Sequence, residues 1–391
     1  MHLSHLKKKW HDHQQNDLVR HRDLIQHREA DHVKIHGKKL TSFCSNDYLN
    51  LATHPAIKKA LIRSVQQEGI GSTASPLVTG FSKSHDSLEE AFATFLNRER
   101  ALLFNSGYHA NLGVLSCFAD RNSIVIADKL CHASLLDGIL LSRAKHIRYL
   151  HQDVDHAETL LKKQKKEKLL VTESIFSMQG SLTPAKKLAA IANKHRAFFI
   201  LDDAHGVGIL GKEGRGICEH DKLTQQDVPC LVTPLGKAFG SMGAMVSGES
   251  YLIQTLLQFA RTYCYSTALP PALCDATKAA LKIIEKESWR REKLKYLIQF
   301  FIKAAQLRNI PLVSADETPI KSILIGSNKR TVQIKNDLMQ KGFFVSCIRP
   351  PSVPKNTSRI RISLNCMHHE KQISDLLDLI KIHLEYSEKH D

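Results

Sequence analysis

The chain has 391 residues, 42% of them hydrophobic and 24% charged, with a net charge of +16 and nine cysteines. That is enough apolar material for one large and one smaller domain, and it excludes global disorder. No stretch approaches the ~18 uninterrupted apolar residues of a membrane span, the first residues carry no signal-peptide pattern, and no C-x-x-C pair occurs. A cytoplasmic protein with reduced thiols and no metal site is therefore expected.

Residues 1–45 read as an N-terminal arm, polar and helical at first, then extended. Within it KIHGKKLTSFCSND (34–47) has the look of a hairpin. Eight histidines fall in the first 36 residues, but His2, His5, His11 and His13 are irregularly spaced in a polar segment, which favours solvent exposure over metal chelation. From 46 to 285 helical periodicity alternates with short apolar runs. AIKKALIRSVQQEG (56–69) and HDSLEEAFATFLNR (85–98) have helical spacing. RALLF (100–104), SIVIA (123–127), KLLVTES (168–174) and AFFILD (197–202) read as buried strands. LLKKQKKEKLL (160–170) suggests an amphipathic surface helix. This alternation predicts a large α/β domain with a mostly parallel central sheet covered on both faces. Past Pro270-Pro271 the pattern changes: helical stretches at 272–287 and 289–308, then strands at 319–326, 342–348 and 359–364. Residues 286–391 are expected to form a smaller α+β domain.

Ligands on parallel sheets lie at the carboxyl ends of the strands. Asn105-Ser106-Gly107, Asp128, Glu173 and Asp202 all follow apolar runs. Asp202 and His205 stand in FFILDDAHGVGILG (198–211), and Lys237 in the glycine-spaced TPLGKAFGSMGA (233–244). A lysine amine condenses with an aldehyde, a carboxylate at a strand end holds a proton on a pyridine nitrogen, and a nearby imidazole reaches a phenolic oxygen. Pyridoxal phosphate requires this set of groups. Each motif alone has a plainer reading. Ser106-Gly107-Tyr108 is a tight turn or, if a helix follows, a phosphate site. His132 in DKLCHASL (128–135) is a core histidine, Asp202 and His205 a structural network, and Lys237 a surface lysine.

In order and spacing, the chain resembles the α-oxoamine synthase family of pyridoxal phosphate enzymes, from SNDYLNLA (45–52) to RIRISLN (359–365). The resemblance implies a fold type I, aspartate aminotransferase-like transferase and a homodimer. It is strongest to the acyltransferase of biotin biosynthesis that condenses L-alanine with a pimeloyl thioester, pimeloyl-CoA or pimeloyl-acyl carrier protein. GIGSTASPLVTGFSKSHDSLE (69–89), FNSGYHAN (104–111), QFARTYCYSTALPP (258–271) and IRPPSVP (348–354) carry that closer match. A glycine C-acetyltransferase-type member of the family is the nearest alternative, followed by an ordinary aminotransferase on the same fold. A basic nucleic-acid-binding protein, suggested by the charge alone, is the alternative from another class.

The resemblance also implies roles. Lys237 takes the cofactor aldehyde, Asp202 pairs with the ring nitrogen, and His205 and Ser177 bond the phenolic oxygen. His132 stacks on the ring and orients the thioester. Gly107 and Tyr108 contact the cofactor through their backbone, and Ser266 and Thr267 reach the phosphate of the neighbouring subunit. Asn46 and Arg361 hold the amino acid carboxylate, a planar target suited to a guanidinium fork. Arg20, Arg349 and Ser352 bind substrate, the arginines its acyl part. Three departures stand out. Pro234 occupies the position of a phosphate-binding threonine, so that contact either shifts to Thr233 or is lost. Gln179 and Ser181 replace aspartates, and Pro76 replaces Arg or His.

Overall fold

Five short apolar runs decide the architecture of the larger of two compact units, which comprises residues 51–176 and 182–291. Ile124–Asp128, Cys230–Pro234 and Ala244–Gly248 are buried at every position, and Lys168–Glu173 and Phe198–Asp202 at all but the first. Such unbroken burial marks strands covered on both faces. The computed structural model describes residues 3–388. Its seven-stranded sheet runs in the order Arg100–Phe104, Ala244–Gly248, Cys230–Pro234, Phe198–Asp202, Lys168–Glu173, Ile124–Asp128, Lys145–Tyr149. Only Ala244–Gly248 is antiparallel to its neighbours. The carboxyl ends of the other six strands thus share one edge, with Glu173 and Asp202 in direct register.

The helices Pro55–Glu68, Lys83–Phe95 and Pro271–Lys286 pack together, as do Gly107–Phe118 and Ala133–Ser142. LLKKQKKEKLL is not one helix: the helix Val154–Lys162 ends inside it, and Lys168 opens a strand. The two apolar ends that suggested one amphipathic face belong to different elements. Lys145–Tyr149 escaped the sequence reading because an edge strand of composition KHIRY carries little apolar signal.

The smaller unit holds the residues up to 50, those from 292 onward, and the segment 177–181. The polar helix Ser4–Gln15 buries none of its residues. The expected hairpin forms between His32–Ile35 and Lys38–Ser42. Its two-residue turn, His36-Gly37, has positive φ at both positions (49° and 79°), as a tight right-twisting hairpin needs. GFFVSCI is split: Phe343–Phe344 joins the hairpin sheet in parallel, while Ser346–Ile348 pairs with Ser358–Ser363 in a separate sheet. Ile320–Gly326 completes that second sheet. No helix among the described residues is long and apolar enough to cross a membrane.

Candidate active site

In the larger unit, Lys237 lies in the loop 235–243 that joins two adjacent antiparallel strands. The loop is tied internally: Leu235 N–H donates to Gly243 O (2.9 Å), Ser241 N–H to Leu235 O (3.1 Å) and Gly240 N–H to Lys237 O (2.8 Å). Leu235, Ala238 and Phe239 are buried, and the Phe239 ring packs 5.1 Å from that of Phe92. A half-buried Lys237 is thereby fixed on a rigid loop. Its Nζ lies 2.9 Å from Nε2 of the buried His205.

Asp202 ends its strand with its side chain buried. Oδ1 accepts the Ala204 N–H (3.0 Å), and Oδ2 accepts from Asn111 Nδ2 (2.7 Å). The same Asn111 amide donates to Ser134 Oγ (2.9 Å), which lies 2.8 Å from His132 Nδ1. His132 caps the helix Ala133–Ser142, and its backbone N–H donates to Glu173 Oε1 (2.5 Å). Burial lowers the His132 pKa; Asp202 opposes this and Lys237 adds to it. Lys237, His205, Asp202 and His132 therefore belong to one connected neighbourhood. Asn111 escaped the sequence reading. Its signal was its place in FNSGYHAN, one helical turn beyond Gly107 on the same face.

The helix Gly107–Phe118 opens at this end of the sheet, with Ser106 as its cap accepting the His109 N–H (3.2 Å). A Cβ on Gly107 would lie 2.7 Å from Pro234 Cγ, so only glycine allows the helix start this close to the strand. Exposed first-turn amides at such a point suit an anion. Tyr108 is 43% exposed and its hydroxyl donates to Asp137. Thr233 does not share this position. Successive strand residues point to opposite faces, and the Thr233 hydroxyl is fully buried, donating to Met245 O (3.3 Å). Pro234, the next residue, is the one that packs against the helix start at Gly107. Asn105 Nδ2 donates to Thr267 O (2.7 Å), fastening the backbone beside the half-buried Ser266 while the Thr267 side chain stays exposed.

The smaller unit gathers a second set. Arg361, 5% exposed, donates from Nε to Ser177 O (2.6 Å), from Nη1 to Ser363 Oγ (2.8 Å) and from Nη2 to Asn46 Oδ1 (3.0 Å). Each Nη carries a further N–H. Ser322 Oγ donates to Met178 O (2.7 Å) and Thr318 Oγ1 to Gly180 O (2.5 Å), so side chains from two neighbouring strands and a turn hold the carbonyls of 177–180. Gly180 sits at φ 75°, where an added Cβ would fall 2.0 Å from Ile320 O. Gln179 and Ser181, the two departures, belong to this segment. Separately, Arg20, Arg349 and Ser352 line a cavity of about 960 Å³ together with Trp10 and Leu18. Arg20 Nη2 donates to Ser352 Oγ (3.3 Å), and Arg349 Nη2 donates to Val19 O (3.0 Å).

This fold, with a buried strand-end carboxylate, an adjacent imidazole and a loop lysine, defines a class. The family model for class I and II aminotransferases matches residues 38–380, and the chain belongs to that family. It is 45% identical to the 8-amino-7-oxononanoate synthase of Nitrosococcus oceani over 366 residues, 93% of this chain and 97% of that protein. The crystal structure of 8-amino-7-oxononanoate synthase from Francisella tularensis superposes with a TM-score of 0.80 at 34% identity, covering 89% of this chain and 98% of that one. Serine palmitoyltransferase of Sphingomonas wittichii shares the fold (TM-score 0.91, 24% identity, 98% of this chain and 97% of that one). Within its class the chain belongs with the 8-amino-7-oxononanoate synthases.

Proposed function

We infer that the chain is a pyridoxal phosphate-dependent acyltransferase that condenses L-alanine with a pimeloyl thioester, releasing carbon dioxide and thiol and giving 8-amino-7-oxononanoate for biotin biosynthesis. The relatives' shared name and the meeting of Lys237 with His205 beside the buried Asp202 support this reading. The residues present fit the cofactor. An amine, an imidazole, a buried carboxylate and an open helix start correspond to its aldehyde, phenolic oxygen, ring nitrogen and phosphate. When bound, pyridoxal phosphate supplies an electron sink for negative charge developing at the amino acid α-carbon.

The chain's own residues do the rest. Lys237 would hold the cofactor aldehyde, and its free amine would serve as the general base for the alanine α-proton. Asp202, fixed by Ala204 and Asn111, keeps a proton on the ring nitrogen, which strengthens the sink. His205 would bond the phenolic oxygen, a role the family resemblance also gives to Ser177, and the first turn at Gly107 and Tyr108 would take the phosphate. Arg361 and Asn46 would bind the alanine carboxylate. His132 orients the thioester carbonyl and donates to its oxygen as negative charge develops there. Arg20, Arg349 and Ser352 take the acyl substrate.

A homodimer is part of the same reading, with Ser266 and Thr267 reaching the partner's phosphate. Exposed apolar side chains in the adjoining segments, among them Ile70, Val78, Phe259 and Tyr265, support it, and Ala268 N–H bonds Ala74 O to join the two stretches. The charge of +16 favours an anionic donor, coenzyme A or an acidic carrier protein. Cytoplasmic action is supported by nine cysteines that are all free thiols.

The test is product mass after mixing the protein, cofactor and pimeloyl-CoA with alanine or glycine. The 8-amino-7-oxononanoate mass with alanine is the expected result; turnover of glycine alone would overturn the assignment.

A further inference from the structure

Glu173 is a buried carboxyl group, 3% exposed, to which the mechanism above gives no task. It ends the strand Lys168–Glu173 in register with Asp202 on the next strand. Its Oε1 accepts the backbone N–H of His132. The His132 ring then connects through Ser134 and Asn111 to Asp202. Glu173 and Asp202 are thus joined twice, once by the strand ladder and once by a chain of side-chain hydrogen bonds that passes through His132.

We propose that Glu173 is a positioning residue that works as the neutral acid, anchoring the His132 backbone while adding no second negative charge beside Asp202. The inference rests on the reading of His132 as the residue that orients the thioester.

Two observations favour the neutral form. Moving a lone carboxylate into such a site is costly, and a like charge on the adjacent strand makes it costlier. The groups facing Glu173 bear this out. Asp202 on one neighbouring strand and Asp128 on the other both disfavour its ionisation, as does burial, the largest effect, while Lys237 and the His132 N–H favour it. The balance pushes its pKa up to about 8. Cys131, next to His132, is itself pushed well above the usual thiol range and adds no charge. The hydrogen bond to His132 needs only an acceptor, which a neutral acid or an amide supplies as well as a carboxylate.

The experiment compares Glu173→Gln and Glu173→Leu in the holoenzyme. The readouts are kcat, KM for each substrate across pH 6–9, and calorimetric binding of pimeloyl-CoA to the holoenzyme without alanine. Wild-type turnover of alanine and pimeloyl-CoA tests the parent reading; only the contrast among Glu173 variants tests this one. Glu173→Leu should raise KM and Kd for pimeloyl-CoA about 10-fold, leaving KM for alanine within about 2-fold, because the His132 N–H loses its acceptor. Glu173→Gln should restore pimeloyl-CoA binding to within about 2-fold of wild type and remove the alkaline limb that Glu173 ionisation puts near pH 8. If Glu173→Leu fails to fold, the glutamine variant and its pH profile still decide. A glutamine variant with kcat/KM depressed more than about 10-fold would show that the charge is required and would overturn the proposal. So would an alkaline limb identical in wild type and glutamine variant.

Discussion

Asn111→Leu tests the support beneath Asp202. Asn111 is 1% exposed, and its amide nitrogen makes two bonds, to Asp202 Oδ2 and to Ser134 Oγ. Its own Oδ1 is buried without a partner. Leucine has a similar volume, so packing changes little. The loss is one charge-assisted hydrogen bond, about 1.5–3 kcal/mol, and one neutral bond, about 1 kcal/mol. Removing the unpartnered carbonyl oxygen offsets roughly 1 kcal/mol of this. The net expectation is destabilisation of about 1.5–3 kcal/mol, read as a lower urea midpoint of the cofactor-free protein with unchanged slope. Cofactor titration by absorbance should show weaker binding in parallel, because Asp202, proposed to meet the ring nitrogen, has lost its orienting donor. A leucine variant as stable as wild type, with the same cofactor affinity, would refute the claim that Asn111 sets Asp202.

Three further outcomes follow from the geometry. Gly180→Ala places a Cβ 2.0 Å from Ile320 O at a φ of 75°, so it should cost at least ~3 kcal/mol and release the 177–181 segment, seen as faster proteolysis there. Pro234→Thr adds a hydroxyl and an N–H at the helix start, and should tighten cofactor binding about 5-fold in equilibrium dialysis. Stability should fall as pH rises from 6 to 8: burial raises Glu173 from 4.5 to about 8 and Asp203 from 3.8 to about 7, so both take up a proton on folding. Their contribution is complete below the unfolded pKa values and lost as pH passes the folded ones, at up to ~1.4 kcal/mol per pH unit per group. Urea midpoints measured at pH 6, 7, 8 and 9 check the sign.

Much of the larger unit was legible because its strands are continuous apolar runs closed by polar residues. AFFILD was read as 197–202 and is Phe198–Asp202, and RALLF agrees at both ends. Strand-end position is also what made Asp202 readable as a site residue. Elements with mixed composition were not legible: KHIRY, with two lysine- or arginine-type charges on an edge, looks like loop. GFFVSCI looks like one strand, yet it serves two sheets, a choice made by partners distant in sequence. Asn111, Ser322 and Thr318 were missed for a related reason. Their hydrogen bonds span 91, 144 and 138 residues, and no local pattern announces such partners. The strand pleat, which turns the neighbouring side chains of Thr233 and Pro234 to opposite faces, is likewise invisible to counting back from a lysine.

Under the proposed function the Lys237 amine, held against His205, is the group that bonds the cofactor aldehyde. Borohydride reduction of the yellow holoprotein, followed by peptide mapping, addresses it most directly. One pyridoxyl-modified peptide is expected, carrying the label on Lys237 and absent from Lys237→Ala. Label on a different lysine, or equal labelling of the alanine variant, would contradict it.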